Sequence, residues 1–276
     1  MANPKSFIFK WRTESVDSLL RTVPNDPAVP FILEHLHSDG FILEGGCGTA
    51  RVVYFLKNLS YKVVGLEYNK EILYHIKHVY SDLQLLCGDV AALPFADSCL
   101  SGIISLGVIE HFPEGPENAL CEMFRTLRPG GRAIVTVPHY NQIRRVKSAL
   151  GIYLLKKMLK GNPLLRRILS KSPRSTTLLP HISKDWYVNF WAGDFYEYWL
   201  TEKEFHKVVS QVGFLIIKTK PISHLDGLYI ELGPLFVTLR DNEFTLKLLG
   251  RISVWLLERL KCSYNNMLLC VAMKPR

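Results

Sequence analysis

One short stretch constrains this chain more than any other. Phe41-Ile42-Leu43 is a compact apolar run, and it is followed at once by Glu44-Gly45-Gly46-Cys47-Gly48-Thr49-Ala50. Beyond the glycines, Val52, Val53, Leu56 and Leu59 recur on one helical face. An apolar run too short for a helix, a turn of residues that tolerate any backbone conformation, and then a 3.6-residue period read as a buried strand, a tight loop and a covering helix. A strand feeding a helix across so short a loop belongs to a parallel sheet, because the next parallel strand can be reached only by a crossover.

The rest of the chain keeps that rhythm. Lys62–Leu66, Leu83–Cys87, Leu100–Ser105 and Arg132–Val137 read as further strands. Asn69 can cap a helix over Lys70–His78, and a helix from about Pro116 to Leu127 stops at Arg128-Pro129-Gly130-Gly131, which also reads as a turn. Two short helices, about Thr13–Arg21 and Ala28–His37, precede the first strand. After Pro138 the alternation breaks. It resumes at Thr201-Glu202-Lys203-Glu204, a capping box that opens a helix to Val212, followed by strands at Phe214–Thr219 and Met267–Met273. Five strand–helix alternations imply a parallel sheet covered on both faces. With 276 residues the expectation is a single domain over 1–276, carrying inserts at about 139–195 and 223–264.

Composition excludes several classes. The six cysteines stand singly with no Cys/His cluster, so neither a zinc site nor a disulfide framework is expected, and the thiols fit a reducing, cytoplasmic compartment. The leading MANPKSFIFKWR is not a secretory signal, and the longest apolar stretch, Leu246 to Leu260, is broken by Lys247, Arg251, Glu258 and Arg259. The net charge of +9 is concentrated: His139–Lys184 holds eleven Lys/Arg and no acid, which leaves 23 basic against 25 acidic residues elsewhere.

The glycine loop admits two chemistries. A dinucleotide fingerprint needs Gly or Ala at the sixth position from Gly46, where Arg51 stands. The other reading turns on Glu44, two residues before Gly46: an acid at the carboxyl edge of a sheet repels pyrophosphate and suits a cationic ligand bearing an amino group.

The run Glu44–Ala50 resembles the first motif of class I S-adenosylmethionine-dependent methyltransferases, with Ala50 where a third glycine is usual. Leu127-Arg128-Pro129-Gly130-Gly131 and the aromatic stretch before the late helix resemble the small-molecule, or type 11, branch. The resemblance covers about 38–138 and 195–220 and matches nothing in the two inserts. It implies a Rossmann-like α/β fold with a seven-stranded sheet, mostly parallel, its last strand antiparallel, and helices on both faces. It also implies S-adenosyl-L-methionine as cofactor. Glu44, Gly46, Cys47 and Gly48 would then form the loop under the cofactor. Glu67, with Tyr68 beside it, would accept bonds from the ribose hydroxyls; Asp89, with Val90, would hold the adenine amino group; and Leu106 would border cofactor and acceptor.

The expected reaction is methyl transfer to a small, apolar or lipid-linked acceptor, with oxygen the favoured nucleophile. His111 and His139 are the candidate bases, and Tyr140, Tyr196 and Tyr198 the candidate acceptor contacts. Trp186–Trp199 holds eight aromatics in fourteen residues, enough to suggest a lid over an apolar pocket. The basic run 139–184 suits an anionic membrane surface, although Lys147 and Lys157 fall on the Ile143/Val146/Leu150/Leu154 side of the helix and blur its amphipathicity. The competing readings are a nucleic-acid methyltransferase and a non-catalytic module that binds membrane or nucleic acid. Against the first, Ser105-Leu106-Gly107-Val108 is not the Asp/Asn-Pro-Pro-aromatic tetrapeptide of base-amino methylation, so a nucleic-acid partner is disfavoured. No metal is expected.

Overall fold

The computed structural model describes residues 23–112, 114–149, 177–180, 187–190, 197–222, 236–240, 243–259 and 265–276. The expected helix at Thr13–Arg21, the helix near Leu164–Lys171 and the ring of Tyr196 lie outside them. The chain divides into two compact units, 1–137 with 205–220 and 269–276, and 138–204 with 221–268.

The first unit is built on one sheet. Its strands are β1 (Phe41–Gly45), β2 (Lys62–Glu67), β3 (Leu85–Cys87), β4 (Leu100–Leu106), β5 (Leu127–Pro138), β9 (Leu215–Ile222) and β12 (Met267–Met273). They lie in the order β3-β2-β1-β4-β5-β12-β9. β1 pairs in parallel with β2 and β4, β2 with β3, and β4 with β5. β12 runs against β5, because Gly130 and Lys274 bond at one end of the pair while His139 and Asn266 bond at the other. The strand order reverses at β1, and the loops following β1 and β4 diverge there; this is where open α/β sheets hold ligands. The helices are α1 (Val29–His35), α2 (Arg51–Asn58), α3 (Lys70–Val79), α4 (Glu117–Thr126) and α6 (Glu202–Gln211). β1 and β4 are buried almost throughout, as expected of strands covered on both faces.

The local signals behave as the sequence suggests. Asn69 Oδ1 accepts the N–H groups of Glu71 and Ile72 and caps α3. Thr201 and Glu204 form the reciprocal capping box, at 2.7 and 3.3 Å. One expectation is corrected. Arg128–Gly131 is not a free turn but the start of β5, which follows α4 directly; Gly130, at φ +78°, donates to Lys274, and the pairing with β4 shifts register between Leu100 and Gly102. The glycines here make a bulge in the strand, where the Gly130 N–H donates to the Lys274 carbonyl and the Gly131 carbonyl accepts the Lys274 N–H.

The second unit contains an antiparallel sheet of β6 (Thr177–Pro180), β7 (Tyr187–Phe190) and β8 (Tyr198–Trp199), a hairpin of β10 (Val237–Arg240) and β11 (Glu243–Leu246), and helices α5 (Gln142–Ala149) and α7 (Leu248–Arg259).

Candidate functional site

The loop after β1 is held by its own amides. Gly46 and Cys47 both donate to the Leu66 carbonyl, at 2.8 and 3.0 Å, and Ala50 donates to the Cys47 carbonyl at 2.8 Å. Gly48 donates to Glu67 Oε2 at 2.9 Å. These four N–H groups are all spent within the protein. A loop so arranged cannot cradle a pyrophosphate, which needs unpaired amides. What it supplies is close approach. Gly46 sits at φ +73° with the Val108 methyls against it, so a Cβ there would collide, and Gly45 faces Val90 Cγ1 with room for little more than hydrogen.

Glu44 lies beneath this loop. It is buried, and its Oε2 accepts the Val53 N–H at 3.0 Å, capping the first turn of α2. Burial raises its carboxyl to about 8, and the nearby Asp26 and Glu67 carboxylates push the same way, against the pull of Arg51 and the Val53 bond. Cys47 is packed under the loop against Gly65, and burial pushes its thiol well above the ordinary range, so it is a packing residue and not a nucleophile.

Glu67 closes the end of β2. Its second oxygen accepts the Asn69 N–H at 3.0 Å, so one carboxylate ties the glycine loop to the start of α3. Each oxygen keeps further acceptor capacity. Tyr68 is half exposed beside it. Asp89 Oδ1 accepts the Ala91 N–H at 2.8 Å in a tight turn, with the buried Val90 between them. Leu106 ends β4, and Gly107, at φ +69°, turns the chain so that Val108 reaches Gly46. The structure thus brings Glu44, Gly46, Cys47, Gly48, Glu67, Tyr68, Asp89, Val90 and Leu106 to one carboxyl edge of one sheet. Among the buried polar atoms of this unit with no hydrogen-bond partner among the described residues are Thr49 Oγ1, Asn69 Nδ2 and Ser105 Oγ. Buried polar atoms are nearly always satisfied, and two of these belong to the loops just described, so they fit a ligand with polar groups.

Asp26 escaped the sequence reading. It is buried, its Oδ1 accepts the Ala28 N–H, and its Oδ2 holds the Arg51 guanidinium at 2.6 Å. The residue judged too bulky for a dinucleotide loop is thereby drawn to an acid 25 positions earlier. The one hint available was a cation in the first turn of a helix, where the dipole disfavours it and a partner acid is needed.

The histidines separate. His111 follows β4 in a 3₁₀ turn of the first unit, its Nε2 3.8 Å from the buried Glu110 carboxylate. His139 belongs to the second unit. Its ring is buried, Nδ1 lies 3.1 Å from the Asn265 carbonyl, and burial lowers it to about 4, with Arg144 and Arg145 acting in the same direction. A carbonyl only accepts, so Nδ1 carries the proton and the ring is neutral at physiological pH. Such a ring holds a proton weakly, so His139 is the weaker of the two candidate bases.

Tyr140 and Tyr198 lie in the same unit and are also buried, Tyr198 at 0% exposure. The Tyr140 ring stacks near Trp199 at 6.4 Å, and Arg144 lies 4.0 Å over the Trp199 ring while donating to the His139 carbonyl at 3.0 Å. These side chains form a packed core, so Tyr198 presents no surface to an acceptor, contrary to expectation. Arg144 is likewise interior while Arg145 beside it is exposed, so Arg144 does not belong to a solvated basic face.

Residues 43–135 match the family described as "Methyltransferase domain". The chain is 30% identical over 107 residues to a probable S-adenosylmethionine-dependent methyltransferase of Mycolicibacterium smegmatis, which is 39% of this chain and 41% of that one. Over residues 43–135, about a third of its length, the chain is thus similar to the methyltransferase domain. It is also 28% identical over 142 residues to the demethylmenaquinone methyltransferase of Renibacterium salmoninarum, 51% of this chain and 56% of that one. A probable tRNA methyltransferase 9B of Mus musculus is 30% identical over 113 residues, 40% of this chain and 24% of that one. The chain therefore spans little more than half, or less, of the length of these relatives. The fold of the methyltransferase domain is shared with the crystal structure of the PH0226 protein from Pyrococcus horikoshii, at TM-score 0.56 and 15% identity, covering 95% of this chain and 94% of that one.

Proposed function

We propose that this chain transfers a methyl group from S-adenosyl-L-methionine to a small-molecule acceptor, at a hydroxyl oxygen of an apolar or lipid-linked compound. One observation carries the cofactor reading: a glycine loop whose amides are satisfied internally, flanked by the Glu67 carboxylate and the buried Glu44 carboxyl, which a cationic ligand would ionise. That arrangement is wrong for phosphate and right for a ligand that is cationic and rich in hydroxyls. Glu67 would accept the ribose hydroxyls with its remaining lone pairs, and Glu44 would meet the amino group. Val90, Leu106 and Val108 would supply apolar walls, while Thr49 and Asn69 hold buried polar atoms suited to a ligand. When bound, the cofactor supplies a methyl already activated on a sulfonium.

A neutral hydroxyl acceptor must lose a proton as it is methylated. His111, which follows β4 with its Nε2 3.8 Å from the Glu110 carboxyl, is the group we assign to take that proton. The related demethylmenaquinone methyltransferase supports a small-molecule acceptor. The run of cations at 139–184 and the tRNA methyltransferase relative favour the second reading, a nucleic-acid acceptor.

Isothermal titration with S-adenosyl-L-methionine tests the binding step. Saturable heat is expected, and Glu67→Ala should weaken affinity tenfold or more, since a hydrogen bond to a charged group is worth about 1.5–3 kcal/mol. An unchanged dissociation constant removes Glu67 from the site. Transfer of labelled methyl into lipid or aromatic hydroxy compounds supports the acceptor class, and label entering tRNA instead establishes the second reading.

A further inference from the structure

Helix α7 turns an apolar face outward. Leu248 is 73% exposed, Leu249 53%, Ile252 46%, Trp255 49% and Leu256 46%. At 3.6 residues per turn these five, together with Arg259, fall within one arc of about 120°. The opposite side is fixed by packing. Gly250 is buried against the β10–β11 hairpin, where a Cβ would collide with the Phe236 carbonyl, and Lys247 donates its N–H to that carbonyl at 2.9 Å. The outward direction of the arc is therefore built into the contact and is not a matter of a loose helix.

The charge around the arc narrows what can cover it. Arg251 and Arg259 are exposed, and the Arg259 guanidinium lies 4.2 Å over the Trp255 ring. From Lys247 to Lys261 the chain has four cations and one acid, Glu258. A second copy of the chain laid on this face by two-fold symmetry would set like charges together. A bilayer surface with anionic headgroups accepts all three features at once: aliphatic side chains at the acyl boundary, tryptophan at the interface, and arginines at the phosphates. The helix has 12 residues, about 18 Å, and no described helix is long and apolar enough to cross a membrane, so α7 would lie in the plane of the surface.

We infer that α7 is a membrane-docking helix that seats this protein on anionic lipid through Leu248, Leu249, Ile252, Trp255 and Leu256, with Arg251 and Arg259 on the headgroups. This surface is separate from the cofactor residues and stands whether or not the methyl-transfer reading holds.

The test is co-sedimentation of the full chain with phosphatidylcholine vesicles, with and without about 30% phosphatidylserine. Binding to the anionic vesicles is expected. Arg251 and Arg259 near such a surface, at about 1 kcal/mol each, account for roughly thirtyfold in affinity at low salt, so binding should drop at least tenfold on neutral vesicles, and likewise on raising salt from about 50 to 300 mM. Ile252→Asp with Leu256→Asp should weaken binding at least tenfold, while Arg251→Glu with Arg259→Glu should erase the preference for phosphatidylserine. All four positions are exposed, so circular-dichroism melts of the variants should match the parent. A blue shift of tryptophan emission on vesicle addition that disappears in Trp255→Phe places the ring in the interface. Failure to bind anionic vesicles overturns the inference. So does binding that Ile252→Asp with Leu256→Asp leaves intact, which would move the contact to the 139–184 segment, and so does a concentration-dependent dimer that the same pair dissolves.

Discussion

Glu44→Gln isolates the buried acid under the glycine loop. In the folded chain burial raises this carboxyl to about 8, whereas in the unfolded chain it returns to 4.5. Below pH 4.5 both states are protonated and the group is neutral to stability. As pH rises from 4.5 toward 8 the unfolded state releases its proton while the folded state keeps it, so stability falls by about 1.4 kcal/mol for each unit of pH. The window from pH 6.5 to 8 is the most useful, because folded His139 is neutral throughout it and whatever its unfolded form still titrates is common to the parent and Glu44→Gln. Over that window the acid should cost about 1.6 kcal/mol, the slope flattening as pH 8 is reached. Gln keeps the shape and an acceptor for the Val53 N–H but removes the titration. Urea unfolding monitored by circular dichroism at pH 6.5, 7.25 and 8 should show the parent losing roughly that amount relative to Glu44→Gln. A cationic ligand should shrink the difference, because it favours the ionised carboxyl. Parallel pH dependences in the two proteins would refute the picture of an acid kept protonated by its surroundings.

The second unit titrates in the opposite sense. His139 falls from 6.5 to about 4 on folding, so its contribution is present above pH 6.5 and is lost as pH drops toward 4; on acidifying from pH 7 to 4.5 the parent should lose about 2 kcal/mol relative to His139→Gln, the opposing Glu44 contribution being common to both proteins, as measured by urea unfolding. Arg144→Glu should lower the melting temperature clearly, because it removes a buried cation from the Trp199 ring and the His139 carbonyl, whereas Arg145→Glu, at an exposed position, should leave it within about a degree or two. Equal melting temperatures for the two variants would mean that Arg144 is not held as described.

The sequence carried the first unit well because its signals are local. Apolar runs bounded by glycine, the Asn69 cap and the Thr201–Glu204 box each act within a few residues, and all seven strands of the sheet appear where the pattern put them. The cofactor-edge residues were legible for the same reason: in a parallel sheet every strand delivers its last residue to the same edge, so Glu44, Glu67, Asp89 and Leu106 converge by topology alone. What the sequence could not contain was the partner of each group. That the Gly46, Cys47 and Gly48 amides are spent on Leu66 and Glu67, that Arg51 turns to Asp26, and that Arg128–Gly131 becomes strand rather than turn all depend on chains brought together from far apart. Burial decided the rest. His139, Tyr198 and Arg144 have the chemistry of a base, an acceptor contact and a surface cation, and whether a side chain performs that chemistry depends on the water around it. α7 shows the converse, since its periodicity would suit a buried helix, and only the packing of Gly250 on Phe236 turns Leu248, Ile252 and Trp255 to the outside.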